Sequence, residues 1–412
     1  MKNQDPIKLL AMFSKEPEMF FLDSALSTTA SSMSYFGILP VDVIKVNSFD
    51  DARLRKIKLP AIGVIGYDGQ MRFSIYDVII SLNYRREISF KAFQQTRKLN
   101  QIKEYIAYNN NHPSGTTSLA PRIKKSLVLK AAMTSASYQT AVKRTLTHIH
   151  DGDIYQLNLT YARTGSLRTM ITATDAVNIY QQLRQHSPTH LSAFIKAEGE
   201  YILSSSPERF CSLNNRTAIL MPMKGTRPRS GNKALDDKYR RELLESPKEK
   251  AELLMVTDLA RNDLGRVCEF GSVKVSRLRA IEQYAKVYQA TATVTGKIRR
   301  DKGIIDLLQA AFPSGSVTGC PKLEAMTIIK KLEKNKRGLY TGALGYFNIN
   351  NCADFNVLIR TIFLKGREVS FHVGSGIVAD SKPKAEYDET LLKSAGMIDA
   401  IAKGLNVKVT LS

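Results

Sequence analysis

The sequence predicts an α+β fold built on mainly antiparallel sheets, and three observations carry that expectation. β-rich segments occur in adjacent pairs, as in NVLIRTIFL followed by EVSFHVGSGIV. Helical stretches such as KEKAELLMVTDLARND, PKLEAMTIIKKLEK and KAEYDETLLKSAGMIDAIAKG interrupt them irregularly. No regular strand–helix alternation builds a doubly wound parallel sheet, and neighbouring strand pairs favour antiparallel connections. With 412 residues, 43% of them hydrophobic, the chain has ample material for a core. Length alone suggests two or three domains and leaves one large unit open.

The opening MKNQDPIKLLAMFSKEPEMF has charges on both sides of a short apolar patch and no cleavage signature, so no secretory signal is expected. FFLDSAL and AIGVIGYDG read as strands among polar helical stretches up to about residue 120. NNNHPSGTTSLAP, from Asn109 to Pro121, has the turn chemistry of a linker. We therefore expect an N-terminal region, 1–120, and a catalytic region, 121–412, packed as one unit. In the second region a helix over about Ala136 to His150 leads into the strand YQLNLTYAR. The further strands are YILSSS, AILMPM, GALGYFN, NVLIRTIFL and EVSFHVGSGIV. No apolar run approaches the roughly 20 residues of a spanning helix, so no membrane partner is expected. Cys211, Cys268, Cys320 and Cys352 show no CxxC spacing or disulfide density, which fits reduced thiols in a cytoplasmic protein.

Several segments have the makings of a site. Gly374 to Ala379, GSGIVA, matches a dinucleotide fingerprint, but Pro383 delays the helix that such a loop must open. Its glycines instead allow close backbone approach to an anion, or form an ordinary turn. PSGSVTGCPK, Pro313 to Lys322, runs into a helix with Pro321 in its first turn and an apolar face of Leu323, Met326, Ile329 and Leu332. That N-terminus suits an anion, yet it lacks the G-K-[ST] of a phosphate loop. In AEYDETLLK, Glu386 and Glu389 share a helix face and Lys393 lies one turn on, while Glu252 sits among apolar residues. Such oxygen ligands suit Mg²⁺; a solvated helix face would look the same. No His/Cys cluster suggests zinc. Glu208 follows Pro207 at a strand end, and Lys224, Gly225 and Thr226 stand at the end of another. A carboxyl so placed suits a general acid, and a partly buried lysine a nucleophile.

The net charge of +22 would attract nucleic acid, anionic surfaces or small polyanions. The basic residues are dispersed through mixed-charge stretches such as RRELLESPKEK. We read a solvated basic surface with no nucleic-acid partner; salt-dependent binding to unrelated DNA would mark the opposite.

Eight segments occur together in order: DIYQLNL, SSPERF, PMKGTRPR, AELLMVTDLARNDLGRV, FPSGSVTGCPKLEAM, YTGALGY, FNVLIRT and GSGIVADSKPKAEYDET. This set resembles the chorismate-binding enzyme family over the C-terminal two-thirds, and FFLDSALSTTASSMSYFGI is more loosely similar to its N-terminal region. The resemblance implies two packed, mainly antiparallel sheets enclosing the site, with helices outside. Gln156 stands where the family's water-adding members carry a basic lysine, so the chain resembles the ammonia-using branch. Lys224 in PMKGT is similar to the aminodeoxychorismate-forming members; anthranilate-forming members usually carry alanine there, and they remain the alternative.

The resemblance further implies covalent attack by Lys224 on chorismate, protonation of the leaving hydroxyl by Glu208, and Mg²⁺ held by Glu252 and Glu389 with Glu386 nearby. Gln156, Gly225, Thr226, Gly374 and Gly376 would surround the substrate. Arg360 would grip the enolpyruvyl carboxylate, with Tyr346 and Lys393 as further contacts. The usual family histidine is replaced by Gln289, which cannot shuttle a proton near neutrality. The chain has no tryptophan, and its N-terminal region departs from the usual effector pattern; no tryptophan regulation is expected. Nothing in it resembles the nucleophile loop of a glutamine amidotransferase, so ammonia would come from solution or from a separate amidotransferase subunit.

Overall fold

The computed structural model describes residues 4–26, 33–111, 126–284 and 287–412. The segment 112–121 of the expected linker, and residues 27–32 of the N-terminal resemblance, lie outside them; Asn109, the expected start of the linker, lies in the last turn of a helix that covers Lys98–Asn111. Among the described residues two large sheets form. The first places Gln156–Ser166 between Ser126–Ala131 and Glu368–Ile377, and continues through Thr361–Lys365, Glu200–Ser206, Leu191–Ala197 and Met19–Asp23. The second runs from Met223–Pro228 through Val287–Lys297, Thr217–Leu220, Arg209–Asn214, Cys352–Val357 and Ala343–Ile349 to Ala61–Ile65. Pairing is antiparallel apart from the parallel contact between Lys408–Leu411 and Ser126–Ala131. This is the α+β architecture that the paired strands predicted.

The helices cover the outer faces. Pro383–Leu405 packs on Ala173–His186 and on Glu368–Ile377, and Pro247–Gly265 packs on the Val287–Lys297 strand. Their starts follow from local chemistry. Pro247 and Pro383 occupy first-turn positions where a missing N–H costs nothing, and the Ser246 hydroxyl caps the Glu249 N–H. Along Glu368–Ile377, Val369, Phe371, Val373 and Ile377 are buried in the core that includes these helices. The alternate residues turn to the other face, toward the second sheet.

Three local expectations are corrected. AILMPM is not one strand: Thr217–Leu220 and Met223–Pro228 are separate, because Pro222 has no N–H for the ladder. Lys224 accordingly lies inside the second strand and not at a strand end. NVLIRTIFL breaks into Cys352–Val357 and Thr361–Lys365, with Arg360 between them at φ 49°. Pro321 precedes the Lys322–Leu332 helix as its cap, and the buried face is Ala325, Ile328 and Ile329, leaving Leu323 80% exposed.

The breaks have a purpose in the architecture. At Pro207–Glu208 the chain passes from the first sheet into the second, and at Leu358–Arg360 it passes back. The crossings lie side by side: the Val357 N–H donates to Glu208 O at 3.0 Å, and the Ser205 N–H to Arg360 O at 3.1 Å. Two candidate functional residues therefore sit where the sheets are stitched together.

Candidate active site

Lys224 is half-buried on the Met223–Pro228 strand, and its register against Val287–Lys297 slips between Lys224 and Thr226. Gly225 makes that slip, at φ 79°. A Cβ there would stand 2.5 Å from Glu249 Oε2 and 2.8 Å from Leu243 Cδ1, so both conformation and space demand glycine. The bulge turns the lysine inward. Its Nζ donates to Ser316 O at 3.5 Å, and a Cβ on Gly376 would meet that Nζ at 3.2 Å and Gln156 Nε2 at 3.1 Å. Lys224, Gln156 and Gly376 thus come from both sheets to one point.

Glu208 faces the same point. It is 5% exposed and accepts a short hydrogen bond from Ser316 Oγ. Burial pushes its carboxyl up to about 7, against the Ser316 hydrogen bond and the Lys224 ammonium, which pull it down. Burial likewise pushes the Lys224 amine down; Glu252 and Glu208 oppose that, Lys393 adds to it, and Glu389 opposes it again. Buried acid and buried amine lie near enough to shift one another, the arrangement in which acid–base and nucleophilic roles are set.

The Gln156 amide is 1% exposed, and neither its nitrogen nor its oxygen has a protein partner. A buried amide without partners is rare unless something else binds it. Gln289 is buried too; its Nε2 donates to Thr226 Oγ1 at 3.4 Å while its Oε1 is unpartnered.

Arg360 is half-buried, and among the described residues no carboxylate pairs with it; Tyr284 is the group whose charge touches its titration, while burial pushes the guanidinium down. Lys393 donates to Gly374 O at 3.1 Å and pairs with Glu389 at 2.6 Å. Glu386 is buried and accepts from Ser381 Oγ at 2.6 Å. Burial pushes the Glu252 carboxyl up; Lys224 opposes this, and the Glu249 and Glu386 charges add to it.

Among the described residues no three His, Cys, Asp or Glu side chains converge as a metal-ligand group; Glu386 acts on Glu252, and Glu252 and Glu389 both act on Lys224. The Tyr346 ring meets Tyr35 edge-on at 5.5 Å, with Asp354 its leading charged neighbour and Arg209, next to Glu208, a further one. Its strand pairs Tyr346 with Ile62 on one side and Asp354 on the other.

Two residues were not anticipated. Ser316 joins Glu208 and Lys224, and its signal lay in the PSGSVTG loop. Tyr284, whose Oη donates to Pro207 O at 3.1 Å, stands between Glu208 and Arg360 electrostatically. A cavity of about 320 Å³ elsewhere between the sheets, walled by Phe20, Ile62, Tyr76 and Ile202, includes none of the site residues.

Comparison with known proteins follows the same lines. The family profile described as chorismate binding enzyme matches residues 28–399. An anthranilate synthase component I-like protein of Synechocystis is 39% identical over 325 residues, 78% of this chain and 64% of that protein. Aminodeoxychorismate synthase component 1 of Bacillus subtilis is 36% identical over 271 residues, 66% of this chain and 57% of that protein. The chain therefore spans somewhat over half the length of these curated relatives. The crystal structure of anthranilate synthase component I from Streptococcus pneumoniae superposes with a TM-score of 0.76 at 25% identity, covering 90% of this chain and 93% of that one.

Proposed function

The chain belongs to the chorismate-binding enzyme family, and on that footing we propose that it converts chorismate and ammonia to 4-amino-4-deoxychorismate, the precursor of p-aminobenzoate for folate synthesis. The observation that carries this reading is Lys224, an inward-turned amine beside a buried acid, where an alanine-bearing relative would have no nucleophile. The amine attacks ring carbon C2 as the C4 hydroxyl leaves, and Glu208 supplies the proton that makes the leaving group water. Ammonia then adds at C4 and expels the lysine from C2. Dividing one displacement into two is the advantage of covalent catalysis. Gln156 offers the incoming ammonia an amide in place of a charged side chain. Anthranilate synthesis is the alternative that the relatives' names favour; Gln289, with no proton to shuttle, counts against the pyruvate elimination it requires.

Product analysis by mass spectrometry after incubation with chorismate, Mg²⁺ and ammonium tests the proposal. A product that keeps the enolpyruvyl group is expected, and anthranilate with pyruvate would overturn it. Glutamine should not replace ammonium for this chain by itself, since a separate amidotransferase subunit is its expected source.

Glu252, Glu389 and Glu386 would hold Mg²⁺. They fit it in kind: burial pushes the Glu252 carboxyl up and the Glu386 charge adds to that, which a cation would relieve, and Mg²⁺ characteristically takes one or two carboxylates plus water and substrate oxygens. Bound there, the ion supplies charge neutralisation for the ring carboxylate. Excess chelator should abolish turnover, and Glu389→Gln should raise the Mg²⁺ concentration needed for half-maximal rate. Full activity in chelator would remove the metal from the scheme.

Arg360 would grip the enolpyruvyl carboxylate with its planar fork. Arg360→Lys keeps the charge but loses that geometry. The loss of a charge-assisted hydrogen bond, roughly 1.5–3 kcal/mol, should weaken chorismate binding about ten- to hundredfold. An unchanged Michaelis constant would make Arg360 structural.

A further inference from the structure

We propose that Ser314 and Ser316 are a proton relay that recharges Glu208 from the side away from the substrate, by way of a water-sized cavity that Asp263 also lines. The inference rests on the reading of Glu208 as the acid that protonates the leaving hydroxyl. An acid spent in each turnover must regain a proton, and Glu208 is 5% exposed. Its cleft side is shared with Lys224, and bound substrate excludes water there. The other side is built of hydroxyls. Ser316 Oγ donates to Glu208 Oε1, and Ser316 Oγ and Ser314 Oγ lie 2.9 Å apart. Beyond them is a cavity of about 20 Å³, lined by both serines and by Asp263, Arg209, Val256 and Ala260. That volume holds one water. Asp263 is 5% exposed and binds Lys322 and Arg266, each at 2.9 Å; the Arg266 side chain, 56% exposed, marks where the path meets solvent.

Hydroxyl valence gives the relay its direction. A hydroxyl has one proton to donate and two lone pairs with which to accept. An ionised Glu208 only accepts, so Ser316 spends its proton there and Ser314 must donate to Ser316. Among the described residues Ser314 Oγ has no other hydrogen-bond partner, so the next proton reaches it from the cavity. Recharging is then one shift along these bonds. Glu208 takes the Ser316 proton, Ser316 takes that of Ser314, Ser314 takes one from the cavity water, and the water takes one from Asp263 or solvent. The ammonia nitrogen releases a proton as its C–N bond forms, so none is gained or lost per turnover. The local fold holds the relay in place. Gly315 lies against Leu259 of the Pro247–Gly265 helix, one turn before Asp263, where a Cβ would stand 2.8 Å from Leu259 Cδ1, and Thr318 Oγ1 donates to Ser314 O at 2.9 Å. The nearby cations are committed, Arg209 to Asp354 at 2.8 Å and Lys322 to Asp263. Burial pushes the Asp263 carboxyl up against the pull of Lys322 and Arg266, so it takes a proton more readily than an exposed aspartate. An ordinary Gly/Ser turn also pairs its hydroxyls, but it does not join a buried acid on one side to a water-sized cavity on the other.

Ser314→Ala breaks the relay, and alanine suits the backbone at Ser314, φ −57° and ψ 137°. Ser314→Thr keeps the hydroxyl. Asp263→Asn keeps an oxygen for Lys322 but takes up no proton. Chorismate consumption at saturating ammonium is followed for each in H₂O and in D₂O, whatever the product. S314A and D263N should lower kcat about tenfold, a fraction of the roughly 10²- to 10⁴-fold worth of the acid itself, with KM unchanged and a larger solvent isotope effect on kcat. S314T should behave as wild type. A wild-type kcat in S314A or in D263N overturns the proposal. So does an equal loss in S314A and S314T, or a lower kcat whose isotope effect has not risen. Should D263N fail to fold, the two serine variants decide alone. Glu208→Gln separates the premise: an unchanged kcat there means that Glu208 is not the acid, and reading and relay fall together. A reduced kcat in that variant beside a wild-type S314A removes the relay and leaves the reading standing.

Discussion

Lys224→Ala should lower aminodeoxychorismate formation by roughly a thousandfold or more, the scale on which enzymes suffer when a covalent nucleophile is removed. The bland possibility for a lysine between Met223 and Gly225 is a solvent-facing strand residue. The bulge at Gly225 argues otherwise, because it turns the side chain toward Ser316 and Gly376. An ordinary lysine, with a reference pKa near 10.4, is almost wholly protonated at neutrality. Here burial pushes the amine down, while Glu252, Glu208 and Glu389 hold it partly up. The balance leaves a nucleophile that substrate binding can activate further by excluding water. In the wild-type chain supplied with chorismate but no ammonia, the peptide containing Lys224 should gain the mass of chorismate less one water. The alanine variant retains Glu208 and Gln156, so slow direct attack by ammonia should persist and shift the products toward anthranilate-like chemistry. Near-wild-type turnover by the variant, with no adduct in the parent, would sink the covalent scheme.

The same residues show how far a linear reading reaches. Paired β-rich segments and helix punctuation sufficed for the α+β class, because alternation and capping are local. The stitching between sheets was not legible. NVLIRTIFL is rich in apolar and β-branched residues around Arg360, and nothing local announces that Arg360 adopts a positive φ there; the break lies where this crossing is hydrogen-bonded to the one at Pro207–Glu208. AILMPM hid a break for the opposite reason, since Pro222 was visible but its apolar neighbours outweighed it. The Lys322–Leu332 helix shows the limit of periodicity: Leu323 matched an apolar face, yet the first turn leans outward from the sheets and Ala325 takes the buried place. In the site, Lys224, Glu208, Gln156 and Gly376 were found through motif resemblance, and the structure brings them together. Tyr346 came from the same motif reading; its described contacts are the Tyr35 ring and the charges of Asp354 and Arg209. Ser316 was passed over because a serine in a Gly/Ser loop looks like punctuation until a carboxylate, 108 residues away in sequence, is seen to accept its hydrogen bond.

Glu208→Gln should reduce kcat about 10²- to 10⁴-fold, the usual contribution of a general acid, and should also change the pH dependence in a way that a packing defect would not. Glutamine preserves shape and still meets Ser316, but it has no proton to give. The wild-type carboxyl, raised to about 7 chiefly by burial, carries its proton below that pH and loses it above. At saturating ammonia, kcat that depends on protonated Glu208 should therefore fall as pH rises through about 7, and the limb should vanish in the variant. Above neutrality the substitution should change stability in the opposite sense to activity. A carboxyl whose folded pKa lies above its unfolded value gives stability that is fully present below the unfolded pKa, about 4.3, and is lost as pH rises through the folded one. Between those values the native state holds a proton that the unfolded chain has released. At pH 8 wild type then carries a buried, charged carboxylate, whereas the glutamine variant stays neutral. The variant should melt higher than wild type at pH 8, and this advantage should shrink toward pH 4. Lost activity together with raised stability above neutrality would mark Glu208 as an acid held against its own preference for water. Unchanged kcat would show that the proton is delivered by another group, and a variant less stable at pH 8 would show that the buried carboxylate costs the wild type nothing there.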